Sequence, residues 1–452
     1  MKMKFTFKFI PVLILVLGFG VAAPLRGEQT STDELKQAIA ALQAEIQRLK
    51  AEGGASDERL KEMQRRIDLL AAEVEQARTG GATEAQPGVA VAGFGPAASK
   101  IYRSAKGVSI GGYGEAVFEA EEGGDNHLDQ LRQVIYVGYK FDDRILLNSE
   151  LEFEHATTGE GDEERGEVSV EFAYLDFKPW KNVGLRAGQL LIPVGFLNEL
   201  HEPPVFHGVQ RTEVEQVIIP TTWREVGAGV FGEAAHLQWR TYVVAGLSSA
   251  GFDGEKGIRE GRQGGSQSLA NDVALATRLD WTRVPGLLAG ASLFTGNSGQ
   301  GAEVDGQKID GKVTLFDIHA QYERRGLQLR GLYARTTVGD AALINAQNGF
   351  EGDESVGSKQ YGFYLQAAYD VLAERGASRC SLTPFLRYER LNSQDEVPAG
   401  YEANGENDRK IWTAGVGVKP IPNVVLKADY QWISNAADTG ANQFNLGIGY
   451  LF

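Results

Sequence analysis

The sequence predicts an all-β chain, a 16-stranded antiparallel transmembrane β-barrel preceded by an α-helical coiled coil. Three observations carry that expectation. From Gln443 to Phe452, Phe444, Leu446, Ile448, Tyr450 and Phe452 alternate with Gln443, Asn445, Gly447 and Gly449, the period of a half-buried strand. Upstream, fifteen further segments alternate in the same way, giving an even number of strands of about ten residues, each able to span an outer membrane when tilted. The connections between them alternate between long and short, as in barrels with long outer loops and short periplasmic turns.

In chain order, the first element is an apolar run from Phe9 to Pro24 behind Lys2, Lys4 and Lys8. A charged region followed by a short apolar one reads as a secretory signal peptide, placed at residues 1–27; an uncleaved anchor is the other reading. Ser31-Thr32-Asp33-Glu34 then reads as a capping box and opens a heptad. Ile39 and Ile46 fall at a and Leu35, Leu42 and Leu49 at d; beyond Gly53 and Gly54 the frame resumes with Leu60, Ile67 and Val74 at a and Met63 and Leu70 at d. Residues 31–78 are therefore expected as a periplasmic coiled coil, with a helical hairpin as the alternative. Residues 79–106, rich in Gly, Ala and Pro without a period, are expected as a linker.

The two parts differ in charge. Of 45 Lys and Arg and 60 Asp and Glu in 452 residues, residues 1–106 carry 15 and 12, leaving 30 and 48 for the remainder. With a formal net charge of -15 and a mean hydropathy of -0.24, nucleic acid is not an expected partner. Cys380 is the single cysteine, so the fold cannot rely on an internal disulfide.

The barrel is expected over 107–452. Its strands lie near 108–120, 131–141, 144–156, 166–178, 183–194, 223–233, 236–247, 272–283, 287–296, 312–324, 327–337, 359–371, 381–391, 409–419, 424–434 and 443–452. Long connections at 123–130, 157–165, 195–222 and 248–271 alternate with short ones at 142–143, 179–182, 234–235 and 284–286. Leu147, Leu151 and Phe153 oppose Glu150, Glu152 and Glu154, and Val424, Leu426, Ala428, Tyr430 and Trp432 oppose Lys427, Asp429 and Gln431: one face for lipid, one for water. Trp180, Trp223, Trp239, Trp281, Trp412 and Trp432 all lie near segment ends, where interfacial girdles belong. A soluble sandwich or lipocalin-like barrel is the competing architecture.

Between Gly188-Gln189, Pro193, Gly195-Phe196, His201-Glu202-Pro203-Pro204, Phe206, Arg211, Ile219-Pro220, Trp223-Arg224-Glu225 and Gly227, the chain resembles the phosphate-selective porin O and P family. The resemblance covers about residues 108–452 and is sharpest over 183–232. It implies a sixteen-stranded homotrimeric porin whose third loop, here 195–222, folds inward and narrows the pore, and a periplasmic coiled coil like that of some trimeric relatives. The expected constriction residues in this loop are Glu199, Glu202, Phe206, Arg211, Glu213 and Glu215, and the expected basic wall residues are Arg186, Arg224, Arg240, Arg278, Arg330, Arg387 and Lys427. The loop departs from the basic constriction associated with phosphate selectivity. Two arrangements stay open: an acidic loop opposed to a basic wall, setting a transverse field, or loop acids paired with the wall arginines.

Other chemistry is weakly signalled. His201, Glu202 and His207 suggest a metal site, but Pro203-Pro204 precludes the helical spacing, and solvated loop histidines are expected. The Glu150, Glu152 and Glu154 row is expected as a water-facing strand. Gly111-Gly112-Tyr113-Gly114 lacks a βαβ context. No cofactor, metal or catalytic site is expected and no enzyme activity. The expected function is an outer-membrane porin passing small hydrophilic solutes or ions by diffusion, with anions such as phosphate implied by the resemblance, embedded in outer-membrane lipid with its N-terminal segment in the periplasm. The alternative is a structural protein tethering the membrane to the cell wall or a periplasmic partner through residues 31–78.

Overall fold

A computed structural model describes residues 93–104, 106–156, 166–373 and 380–452, all within one compact unit, Ala85–Phe452. The expected signal peptide, coiled coil and linker residues 79–92 lie outside the described residues. Sixteen strands close into a barrel: β1 (Gly107–Glu121), β2 (Asn126–Lys140), β3 (Ile145–Glu154), β4 (Val168–Phe177), β5 (Val183–Leu191), β6 (Arg224–Ala234), β7 (Leu237–Ala245), β8 (Val273–Trp281), β9 (Leu287–Gly296), β10 (Val313–Arg324), β11 (Leu327–Val338), β12 (Lys359–Tyr369), β13 (Ser381–Glu396), β14 (Asp408–Ile421), β15 (Val424–Asn435) and β16 (Gln443–Leu451).

Each strand pairs antiparallel with its sequence neighbours. The ring closes where β1 meets β16, from Tyr113↔Leu451 to Glu121↔Gln443. Closure leaves no unpaired ladder edge, the condition for strands surrounded by lipid. The alternation of the sequence maps onto the two faces. On β10, Ile318 is 57% exposed on the outside while Asp317 and His319 are 0% and 4% exposed inside. On β15 and β16, Leu426, Trp432, Phe444, Leu446 and Ile448 are exposed, whereas Lys427, Asp429, Gln431 and Asn445 are buried. The apolar faces therefore do not converge on a core, which removes the soluble alternatives.

Two expectations about the wall are corrected. The first long connection is a four-residue turn, because β1 and β2 continue pairing to Ala120↔Asn126. Trp223 joins no girdle: it is fully buried, its ring 4.3 Å from that of Phe294, with its indole N–H donating to Glu225 at 3.3 Å. Trp180, Trp281, Trp412 and Trp432 are exposed.

A larger correction concerns residues 93–104. The Gly, Ala and Pro content reads as a linker, yet Phe94, Ala97, Ala98 and Ile101 are buried against the inner faces of the first strands. A 3-10 turn, Ala98–Tyr102, brings Phe94 within 5.0 Å of Phe172 and 5.2 Å of Tyr174. Asn148 on β3 donates to the Ala98 carbonyl at 3.0 Å. Apolar Phe94, Ile101 and Tyr102 are what a free linker would not need; they line up with aromatics on β4 and fill part of the barrel.

Candidate functional site in the barrel lumen

The strands supply an inner wall of charged and aromatic side chains, and the connection between β5 and β6 runs across it. Gly195 carries a positive φ of 63°, a conformation open to glycine, and turns the chain inward. The Gly195 N–H donates to Asp317 on β10 at 3.1 Å, while Arg278 on β8 donates to its carbonyl. Further on, the Pro204 carbonyl accepts from Lys419 on β14 at 2.7 Å, and His207 meets Gln328 on β11 at 2.6 Å. Val209 N–H donates to Asp429 on β15 at 2.5 Å, and Val214 N–H to Glu389 on β13 at 3.2 Å. Gln210 donates to Glu119 on β1. The chain then returns: Asn198 donates to the carbonyls of Ile192 and Trp223 at 2.6 and 2.9 Å, pinning the two feet of the loop together.

The loop is thus bonded to strands on the far side of the barrel, and its apolar residues use the glycines there. Val214 and Ile218 pack over Gly362, Val209 over Gly447 and Pro203 over Gly449. A side chain at Gly362 or Gly449 would collide with the loop, and one at Gly447 would crowd Val209. Buried Val217, Ile218 and Ile219 give it a small core inside an otherwise polar lumen.

The sequence-derived site residues divide by partner. Glu199 forms ion pairs with Arg240 at 2.9 Å and Arg278 at 3.7 Å. Glu213 pairs with Arg409 at 2.7 Å, a residue with no place in the expected set. Glu202 accepts from the N–H groups of Ala97 and Ala98 at 3.0 Å, tying the loop to the lumenal N-terminal segment. Glu215 accepts from Phe196 and Leu197 N–H at 2.7 Å and from the Tyr364 hydroxyl at 2.7 Å. Burial pushes the Glu202 and Glu215 carboxyls up, and these donors pull back toward the ionised form. Arg211 donates to the His201 carbonyl at 3.4 Å, and Phe206 lies 3.6 Å beneath the Lys427 ammonium, a cation–π contact.

The wall residues are equally engaged. Arg186 bonds Asp176 at 2.7 Å and stacks near Phe94, Tyr174 and Phe231 at 4.7, 4.4 and 4.5 Å. Arg240 and Arg278 share Asp280, at 2.9 and 2.8 Å; His319 bridges Asp280 and Asp317 at 2.8 and 2.5 Å. Arg330 sits 4.8 Å from the Phe196 ring centroid, Arg387 pairs with Glu389 at 2.8 Å and donates to the His207 carbonyl at 3.2 Å, and Arg224 pairs with Glu171 at 3.2 Å. Of the two arrangements left open by the sequence, Glu199 takes the paired one: it meets the wall arginines directly and does not face them across open water. The buried carboxylates Glu150 and Glu152 and buried His201 likewise depart from the solvated strand and solvated loop expected of them: Glu150 meets His201 of the loop at 3.4 Å and Glu152 pairs with Arg132 at 3.3 Å.

Among the described residues, cavities lie at opposite ends of this filling. One of about 230 Å³ lies toward the long loops, lined by Glu152, Glu154, Glu167, Thr222, Arg224, Arg259, Glu260, Arg262, Gln263 and Gly264. Another of about 110 Å³ lies toward the short turns, between the Pro204–Gly208 stretch and Glu323, Asp370, Lys419 and Lys427. Arg259 and Arg262, from the connection after β7, cap the β6 foot of the loop by donating to Thr221 O and Thr222 O at 2.9 Å. Their place was hidden in the sequence, since nothing local marks a connection that braces another.

No protein-family model matches the chain. A protein of Aquifex aeolicus (strain VF5) described as "Uncharacterized protein" is 39% identical over 348 residues, spanning 75% of this chain and 78% of that relative. Among solved structures, Salmonella typhi OmpF in complex with daunomycin superposes with a TM-score of 0.51 at 13% identity, over 76% of this chain and 97% of that one. The outer membrane channel DcaP of Acinetobacter baumannii does so with a TM-score of 0.50 at 12% identity, over 76% and 97%. The chain therefore belongs to the family of the Aquifex aeolicus protein, and its barrel has the sixteen-stranded fold of outer-membrane porins.

Proposed function

We propose that this protein is an outer-membrane porin that lets small hydrophilic solutes or ions cross by passive diffusion. The observation that carries this reading is the closed barrel, apolar outside and charged within, whose interior is crossed by the 195–222 loop. Such a barrel spans lipid only if its charged side encloses the path. The filling of the lumen makes the path narrow, so conductance is low and large solutes are excluded. The protein works without a catalytic group, assembles as a homotrimer, and carries residues 31–78 in the periplasm.

The finer reading, an anion path of the phosphate-selective porin O and P kind, is supported by the Gly188-Gln189 to Gly227 motif and by Arg224, Arg259 and Arg262 at the long-loop cavity. Glu152, Glu154, Glu167 and Glu260 line the same cavity and oppose a strong anion preference. The test is the zero-current potential of the purified protein in a planar bilayer under a salt gradient, repeated with phosphate on one side. Small ohmic steps are expected. Anion preference with phosphate block supports the finer reading; weak selectivity without block leaves a general porin; correctly folded protein that gives no steps refutes the proposal.

A further inference from the structure

Beneath the loop, three buried side chains from three elements converge with no hydrogen bond between His201 and either carboxylate that is shorter than 3.4 Å. His201 Nε2 stands 3.4 Å from Glu150 Oε1 on β3 and 3.5 Å from Glu171 Oε2 on β4, and the three ligand atoms lie within 4.8 Å of one another. Glu150 and Glu171 are 0% exposed and His201 2%. The other imidazole nitrogen, Nδ1, is 3.1 Å from the Asn198 carbonyl. A carbonyl only accepts, so that contact holds the proton on Nδ1 and leaves the Nε2 lone pair aimed at two carboxylate oxygens.

Three acceptors facing one another in a buried place repel unless something positive joins them. Glu171 spends Oε1 on Thr222 and on Arg224 at 3.2 Å, while its Oε2 and the Oε2 of Glu150 have no hydrogen-bond partner, and neither does the fully buried Tyr113 hydroxyl. Arg211 bonds the His201 carbonyl and not the carboxylates. The spacing is telling, because ligand atoms about 2.1 Å from a tetrahedral ion stand roughly 3.4 Å apart.

We infer that Glu150, Glu171 and His201 form a divalent transition-metal site that fastens the lumenal loop to β3 and β4. One imidazole and two carboxylates suit zinc and its first-row neighbours better than calcium or magnesium, which take oxygen ligands. Entry is from the long-loop cavity, which is lined by Thr222 and Arg224, the two side chains that hold Glu171. Linear spacing in the sequence could not show this site, since its ligands come from two strands and a loop.

The test uses the full chain in detergent, stripped with a chelator and titrated with Zn²⁺ by calorimetry. Wild type is expected to bind one equivalent per chain, and His201→Gln to lose at least about 100-fold in affinity. His155→Gln, which alters a half-exposed histidine paired with Asp129 at 2.6 Å, is expected to bind as wild type does. Should His201→Gln not fold, the zinc X-ray absorption edge of wild type decides, with one imidazole among oxygen ligands expected. Absence of stoichiometric binding, binding retained in His201→Gln, binding lost in His155→Gln, or an edge without imidazole would each overturn the inference.

Discussion

The outer and inner faces of one strand, β10, solve different problems. Ile318 points outward at 57% exposure, and any apolar side chain satisfies lipid there. Asp317 and His319, on either side of it, are buried and must find Gly195, Asp280 and each other. The outside is specified by composition alone, the inside by partners drawn from across the barrel. Substitutions on the two faces should therefore fail for different reasons and by different amounts.

The largest effect is expected from Asp280→Leu. It strips Arg240 and Arg278 of their shared carboxylate and His319 of one partner, leaving buried charge uncompensated. A loss of about 3–5 kcal/mol is expected, read as a lowered urea midpoint in detergent. A loss under about 1 kcal/mol would mean that the lumen is as tolerant as the outer face. Next comes Ile318→Arg, a charge near the middle of the lipid face, expected to cost about 2–4 kcal/mol, with Ile318→Leu near neutral in the same assay.

A smaller effect is expected from Glu202→Gln, which replaces one of the two oxygens accepting from Ala97 and Ala98 by a donor. About 1–3 kcal/mol is expected, confined to faster amide hydrogen exchange over residues 93–104. The smallest is Glu213→Gln. Its pair with Arg409 is partly solvated, with the side chains 30% and 18% exposed, so under about 1 kcal/mol is expected in the unfolding assay.

This contrast also explains what was legible in the sequence. All sixteen strands could be read, because lipid demands an apolar residue at every second position and Leu147, Leu426 and Ile448 obey without reference to anything distant. The first connection is shorter than the sequence suggests because Asn126 to Asp129, polar but for Leu128, still pair with β1. Trp223 was misplaced because a strand end that begins beside an inward loop is a buried position. Residues 93–104 looked like linker because three aromatic and aliphatic side chains among Gly, Ala and Pro form no period. Glu199 was picked out as a loop acid, but its partners Arg240 and Arg278 lie some forty and eighty positions away, and the phase of a strand gives the face of a residue without naming what it meets. Local helix geometry speaks against His201 as a ligand, whereas its neighbours Glu150 and Glu171 come from two strands distant in sequence from its loop.

The 195–222 loop crosses the lumen, and on the proposed function it sets the width of the path. Single-channel conductance tests it most directly. Because Asn198 already bonds the Trp223 carbonyl, residues 199–221 can be replaced by a short Gly-Ser bridge without pulling β5 from β6. A several-fold rise in conductance over wild type is expected in the same bilayer and salt. Conductance unchanged or lower in a correctly folded barrel would contradict it.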